Sequence, residues 1–132
     1  MKRRTLIILV QSFLMVSLLG TVHAAGLEKR VMFTKGANSA EFQGSVKHGE
    51  VDTYIVNAKK KFMNLSANIT SPDYNAYYWI KAANGDFEHG TNETEKARGS
   101  AGVVVNEGDI SIVVASEKGT ADYTLKITLT EE

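Results

Sequence analysis

A strict alternation of apolar and polar residues near the end of the chain most constrains its fold. In residues 123–130 the apolar side chains Tyr123, Leu125, Ile127 and Leu129 occupy every second position, and three threonines and a lysine fill the others. Side chains of a β-strand point alternately to its two faces, so this segment is predicted to be a half-buried antiparallel strand. No segment after residue 24 shows the three-to-four-residue repeat of an amphipathic helix.

Similar patterns predict seven further strands upstream. Ile110, Ile112 and Val114 alternate in the same way, and the turn-rich residues 116–120 predict that this strand forms a hairpin with the last one. The other candidate strands are residues 30–34, 40–47, 52–58, 62–69, 76–82 and 102–105, and residues 88–100 are predicted to form a surface loop. Short strands at this spacing predict an all-β fold, an antiparallel β-sandwich of about eight strands.

The first 24 residues have the pattern of a secretory signal peptide. Three basic residues at positions 2–4 precede an apolar run over residues 6–20, and small residues at Val22 and Ala24 mark a cleavage site. The apolar run is too short to cross a bilayer of about 30 Å with any margin. We therefore expect a cleaved leader at residues 1–24 and a single exported domain at residues 25–132, with no membrane anchor once the leader is removed.

The charge of the exported domain argues against polyanionic partners. The leader carries three of the 15 basic residues and none of the 15 acidic ones, which leaves 12 basic and 15 acidic residues, a net charge of −3. A mildly acidic surface repels nucleic acid and favours encounter with cationic proteins. The basic run Lys59-Lys60-Lys61 lacks interleaved aromatic residues, so we interpret it as a solvated turn and expect no nucleic-acid partner.

The sequence contains no recognisable catalytic or metal-binding pattern. His48 and His89 have no second histidine at a metal-ligand spacing, and the acidic residues around Asp86 and Glu93 do not match a calcium loop. A nucleophile elbow, a phosphate-binding loop and paired cysteines are all missing from the sequence. We therefore expect a protein that is not an enzyme and that needs no metal or cofactor.

The segment at residues 76–80 is apolar on both faces of its predicted strand. Tyr77 and Trp79 lie on one face, and Tyr78 and Ile80 lie on the other. If only one face meets the core, the other exposes aromatic surface of the kind that anchors protein partners or stacks on sugars. The alternative is a central strand whose second face is covered by a loop.

The chain resembles the periplasmic lysozyme inhibitors, and among them the inhibitor of g-type lysozyme most closely. The similarity extends in order over the whole predicted domain and is most specific in residues 33–61. The matching residues are Phe33, Lys35, Gly36, Ser39, Ala40, Gly44, Lys47, Asp52, Thr53, Tyr54, Ala58, Lys59 and Lys60.

This resemblance implies a β-sandwich in the bacterial periplasm that binds a lysozyme and blocks its substrate cleft with surface loops. The family's inhibitory loop resembles Ser-Gly-x-x-Tyr, and the corresponding stretch here is Glu107-Gly108-Asp109-Ile110, which retains only the glycine. Glu107 and Asp109 are then expected to contact basic groups at the rim of the cleft.

The partner-binding candidates fall on two loops and one strand. They are Asn106, Glu107, Gly108, Asp109, Lys118, Tyr77 and Trp79. The resemblance leaves open whether the target is a g-type or an i-type lysozyme, and whether the protein forms a homodimer is likewise open.

A second interpretation comes from a different class of protein. The strand order and the final Ala121-Asp122-Tyr123-Thr124-Leu125 also resemble the accessory β-sandwich domains of secreted peptidases, which bind polymers or stabilise an enzyme. Because the leader joins the predicted sandwich directly, we favour a free-standing inhibitor or binding protein.

Overall fold

Eight β-strands make up most of the described chain, which is residues 26–82 and 96–131 of a computed structural model. The strands are β1 (Glu28–Arg30), β2 (Ser39–Lys47), β3 (Val51–Ala58), β4 (Met63–Thr70), β5 (Ala76–Lys81), β6 (Ser100–Val105), β7 (Gly108–Ser116) and β8 (Thr120–Glu131). A 3₁₀ turn, Pro72–Tyr74, precedes β5. The all-β prediction is confirmed, whereas the predicted leader and most of the predicted loop at residues 88–100 lie outside the described residues.

Successive strands alternate between two four-stranded sheets. The odd sheet has the strand order β1-β3-β7-β5, and the even sheet has the order β2-β8-β4-β6. The predicted hairpin between β7 and β8 is therefore wrong, because β7 pairs with β3 and β5 while β8 pairs with β2 and β4. Turn residues at positions 116–120 do reverse the chain, but they carry it across the core into the opposite sheet.

The first strand departs from the otherwise antiparallel pairing. β1 runs parallel to β3, with Arg30 opposite Ile55, and ends four residues before the predicted end of this strand. Parallel neighbours need a crossover connection, and β2 in the even sheet supplies it. Beyond β1, Val31 donates a backbone hydrogen bond to Ile55 at 2.8 Å, and its side chain turns into the core.

The core lies between the sheets and follows the alternation read from the sequence. Its largest fully buried side chains come from both sheets and include Tyr54, Leu65, Tyr78, Ile80, Ile112 and Leu125. Burying each such aliphatic side chain contributes roughly 1.5–3 kcal/mol. Because the sequence contains no cysteine, this burial has to hold the two sheets together without disulfides.

A buried polar network crosses this core and involves three of the residues that match the lysozyme inhibitors. The Tyr123 hydroxyl donates to Asp52 Oδ2 at 2.6 Å and lies 2.7 Å from the Tyr54 hydroxyl, while Asp52 Oδ1 accepts from the Leu27 amide at 2.9 Å. Tyr123 has one proton and gives it to the carboxylate, so Tyr54 is the donor in the tyrosine pair. A Cβ on Gly44 would lie 2.6 Å from the Tyr123 oxygen, which explains the glycine opposite this ring.

Candidate functional site

The strand directions divide the connecting segments between two ends of the sandwich. Ala58 pairs with Gly108 and Met63 pairs with Val105, so residues 59–62 and residues 106–107 lie at one end, which we call the Glu107 end. Lys47 pairs with Thr120, which places residues 48–50 and 117–119 at the opposite end, the Lys118 end. Residues 31–38, which connect β1 to β2, also lie at the Glu107 end, because Arg30 pairs with Ile55 and Ser39 pairs with Thr128. A partner that approaches one end meets only the loops of that end.

The predicted inhibitory loop is short and lies at the Glu107 end. Asn106 and Glu107 are exposed and connect β6 to β7, and Gly108 begins β7 with a φ of 126°, a backbone conformation that disfavours residues with a Cβ. Retention of this glycine, where the family pattern is otherwise lost, therefore has a conformational reason.

Asp109 is already engaged within the domain. Its carboxylate accepts two hydrogen bonds from the Arg30 guanidinium at 2.9 and 3.1 Å and one from Asn57 Nδ2 at 2.9 Å. These bonds, the one with Arg30 first, lower the pKa of Asp109 from 3.8 to about 2. Glu107 forms no ion pair with any residue of the described ranges, so it is the acid of this loop that is available to a partner.

Lys118 lies far from the Glu107 loop. It follows β7, whose nine residues at about 3.4 Å each separate the two ends by about 30 Å. The Asn75 side chain holds the Lys118 backbone, with its Nδ2 donating to the Lys118 carbonyl at 2.8 Å and its Oδ1 accepting from the Lys118 amide at 3.1 Å. The structure therefore does not bring Lys118 together with residues 106–109 in one contact surface.

Tyr77 and Trp79 form a third, separate surface on the outer face of the odd sheet. Their rings stack at a centroid distance of 6.0 Å with 29° between the planes, and both side chains are partly exposed. Lys96 Nζ lies 4.7 Å and the Arg98 guanidinium 5.1 Å from the centre of the Tyr77 ring, and both cations bind Glu117. The expectation that one face of this strand presents aromatic surface agrees with this arrangement, although the cations cover part of Tyr77.

The strand that carries these aromatics is not central in its sheet. β5 is the last strand of the odd sheet, and Ala97 pairs with Tyr78 on its outer side through two backbone hydrogen bonds of 3.0 Å. Tyr78 itself is fully buried, and its burial raises the pKa of its hydroxyl to about 12. Its ring therefore belongs to the core and is not available to a partner.

The described residues provide no candidate metal site. His48 Nδ1 lies 3.1 Å from the Ser116 carbonyl, and His89 is outside the described residues. Residues 26–82 and 96–131 contain no group of three or more histidine, cysteine or acidic residues able to hold a metal ion. Within the same ranges there is also no helix with the length and hydrophobicity of a membrane span.

Comparison with solved structures relates this geometry to known proteins. The periplasmic inhibitor of g-type lysozyme from Aeromonas hydrophila matches with a TM-score of 0.62 at 16% identity, over 81% of this chain and 100% of that chain. The inhibitor from Salmonella Typhimurium matches with a TM-score of 0.62 at 19% identity, over 80% and 99%. This chain has the fold of the periplasmic inhibitors of g-type lysozyme.

The same fold also occurs in a second class of protein. The pre-peptidase C-terminal domain of collagenase from Bacillus anthracis matches with a TM-score of 0.55 at 16% identity, over 78% of this chain and 96% of that chain. Neither the models of known protein families nor the sequences of curated proteins give a match. Both resemblances read from the sequence are thus reflected in the fold, and the choice between them depends on the surface.

The sequence did not reveal that three of the residues that match the lysozyme inhibitors belong to one buried hydrogen-bond network. Asp52, Tyr54 and Gly44 match the family, and all three belong to the buried network around Tyr123. Part of the recognisable signature is therefore a signature of the core, whereas other matching residues, such as Lys59 and Lys60, are exposed. The alternation of apolar and polar residues does predict that Tyr54 and Tyr123 point into the core. It does not predict that their two strands lie in opposite sheets and bring the two hydroxyls together.

Proposed function

We propose that this protein is an exported, non-catalytic inhibitor of a g-type lysozyme and that it acts in the periplasm. The observation that carries the proposal is the match of the described domain to 100% of the Aeromonas hydrophila inhibitor, joined to the signal-peptide pattern of residues 1–24. A domain with a packed core and short connections is a rigid scaffold, which lowers the ordering cost of binding.

The proposed mechanism is occlusion of the substrate cleft by loops at the Glu107 end. Such an interface needs about 800 Å² from each partner, which one end of a small sandwich can supply. The net charge of −3 after residue 24 favours encounter with a cationic enzyme, and salt should slow association if charge steers it. Substrate would then be excluded without any chemical step on the inhibitor.

The test is inhibition of purified lysozymes by residues 25–132. The protein is titrated into c-, g- and i-type lysozymes, and the clearing of a bacterial cell-wall suspension is followed by turbidity. Inhibition of the g-type enzyme at stoichiometric concentrations supports the proposal, and inhibition of the i-type enzyme alone reassigns the target. If none of the three enzymes is slowed, the inhibitor function is wrong.

A second candidate function is polymer binding, as expected of a peptidase-accessory-like domain. It is favoured by the fold shared with the collagenase domain and by the stacked Tyr77–Trp79 pair, since aromatic faces are suited to sugar rings. Sedimentation with insoluble peptidoglycan distinguishes the two functions. Retention on the polymer, lost in Trp79→Ala and unaccompanied by any effect on lysozymes, would favour this alternative.

A further inference from the structure

Two connections run side by side across the Glu107 end. Residues 59–62 carry the chain from β3 in the odd sheet to β4 in the even sheet, and residues 106–107 carry it back from β6 to β7. The pairs Ala58 with Gly108 and Met63 with Val105 show that both connections bridge the same gap.

The two connections differ in how far their extended length exceeds the gap between the sheets. Packed sheets lie about 10 Å apart, and consecutive Cα atoms are about 3.8 Å apart. The path from residue 105 to residue 108 therefore spans at most about 11 Å, so the two-residue connection has to be almost fully extended. The path from residue 58 to residue 63 can reach about 19 Å, which is longer than the gap between the sheets, so part of this connection has to project outward. Residues 59–62, which we call the tip loop, therefore project from this end beside the longer connection formed by residues 31–38.

The backbone and the apolar side chain of the tip loop are both unusual. Phe62 has a φ of 58°, a conformation that bulky residues rarely adopt, and its side chain is 59% exposed. Nearby Met32 is 77% exposed. Strained backbone that holds an apolar ring in solvent is a recurrent feature of binding sites, because stability alone would favour glycine here.

The charge of the tip loop is opposite to that of the exported domain as a whole. Lys59, Lys60 and Lys61 are all exposed, and Lys60 pairs with Glu131 at 2.7 Å. Lys59 and Lys61 form no ion pair with any residue in the described part of the chain. Grooves of about 430 Å³ and 220 Å³ flank the loop, the first lined by Lys59 and Met32 and the second by Lys61 and Phe62.

We propose that the tip loop enters the lysozyme cleft and that Lys59 and Lys61 pair there with the carboxylates that flank the scissile bond. Glycosidases use two such acidic residues in a cleft, and attraction between opposite charges strengthens as the cleft is closed to water. Phe62 packs against the apolar wall that otherwise receives sugar rings. This inference rests on the proposed inhibitor function and replaces the interpretation of residues 59–61 as a merely solvated turn.

The test compares two double variants with the same change in net charge. K59S/K61S removes both unpaired lysines of the tip loop, while K47S/K126S removes two exposed lysines from the outer face of the even sheet. Inhibition constants are measured for the lysozyme that residues 25–132 inhibit. We expect a tenfold to hundredfold weaker inhibition, roughly, for K59S/K61S and less than about a threefold change for the control.

Phe62→Gly separates a binding role from a structural one. Glycine relieves the positive φ, so the free energy of unfolding should stay the same or rise while inhibition weakens about tenfold. Equal inhibition by both double variants, or unchanged inhibition by K59S/K61S, overturns the inference while the inhibitor function stands. Failure of the unmodified protein to inhibit any lysozyme overturns both.

Discussion

Removing the Tyr123 hydroxyl is expected to be the most costly single-atom change in this core. In Tyr123→Phe, Asp52 Oδ2 loses a donor at 2.6 Å and the Tyr54 hydroxyl loses its acceptor at 2.7 Å. Asp52 is only 4% exposed, so water has little access to replace the missing donor. The change removes no carbon atom, so packing is preserved and the effect reports on the polar network alone.

The magnitude follows from the two bonds. A hydrogen bond to a charged group contributes about 1.5–3 kcal/mol, and one between neutral groups contributes about 1 kcal/mol. Tyr123→Phe is therefore expected to lower the free energy of unfolding by about 3 kcal/mol. For a domain of about 100 residues this corresponds to a fall in Tm of about 12 °C.

Tyr78→Phe is the matched control, because it removes the same atom from an equally buried ring. The Tyr78 hydroxyl donates to the main-chain carbonyl of Ala67 at 3.0 Å, a neutral acceptor, so a loss of about 1 kcal/mol is expected. Urea unfolding followed by circular dichroism measures both variants, and an unchanged m-value confirms that the same transition is compared. If the two substitutions cost the same, or if Tyr123→Phe costs less than about 0.5 kcal/mol, the network does not contribute as described.

Three further outcomes are expected. Gly44→Ala should lower the free energy of unfolding, measured in urea, by about 1–3 kcal/mol, because the new Cβ would lie 2.6 Å from the Tyr123 hydroxyl oxygen. Gly102→Ala should be nearly neutral, because the atom nearest to its Cβ is 3.6 Å away. The pKa of Asp109 falls from 3.8 to about 2 through Arg30, so this pair stabilises the fold above pH 4 and the effect disappears as pH falls towards 2. The hydrogen-exchange protection factor of the adjacent Val31 amide, which donates to Ile55, should fall over that range, and an unchanged protection factor would contradict this expectation. Burial raises the pKa of Tyr78 to about 12, so its contribution is complete below pH 10 and is lost as pH rises towards 12. The part of the tyrosinate absorbance that is missing in Tyr78→Phe should then increase together with unfolding, and an increase before unfolding would contradict this expectation.

The amount of structure that could be predicted from the sequence differs between local and non-local features. Strand positions were predicted well, because the alternation at residues 123–130 or 110–114 is a local property of the chain. The partner of each strand was not predictable in the same way. The turn at residues 116–120 predicts a reversal, but a hairpin and an arch between two sheets need the same kinds of turn residues.

The candidate site shows the same division. The resemblance to the lysozyme inhibitors made Glu107, Asp109 and Lys118 candidates for one partner-binding surface on loops at one end of the sandwich. The structure places Lys118 about 30 Å from Glu107, since β7 spans the full length of the sandwich. It also pairs Asp109 with Arg30, which is 79 positions away in the chain, so no local pattern could indicate that this charge is already compensated.

By itself, the sequence determined an all-β domain with a leader-like start, because alternation and composition act through neighbouring residues. Only the tertiary structure decided that Asp52, Tyr54 and Tyr123 meet in the core and that the lysines of residues 59–61 lie on a projecting connection of the Glu107 end. Those properties depend on which strands face each other and on how far each connection must reach. They arise from packing two sheets together, so they depend on residues that are far apart in the sequence.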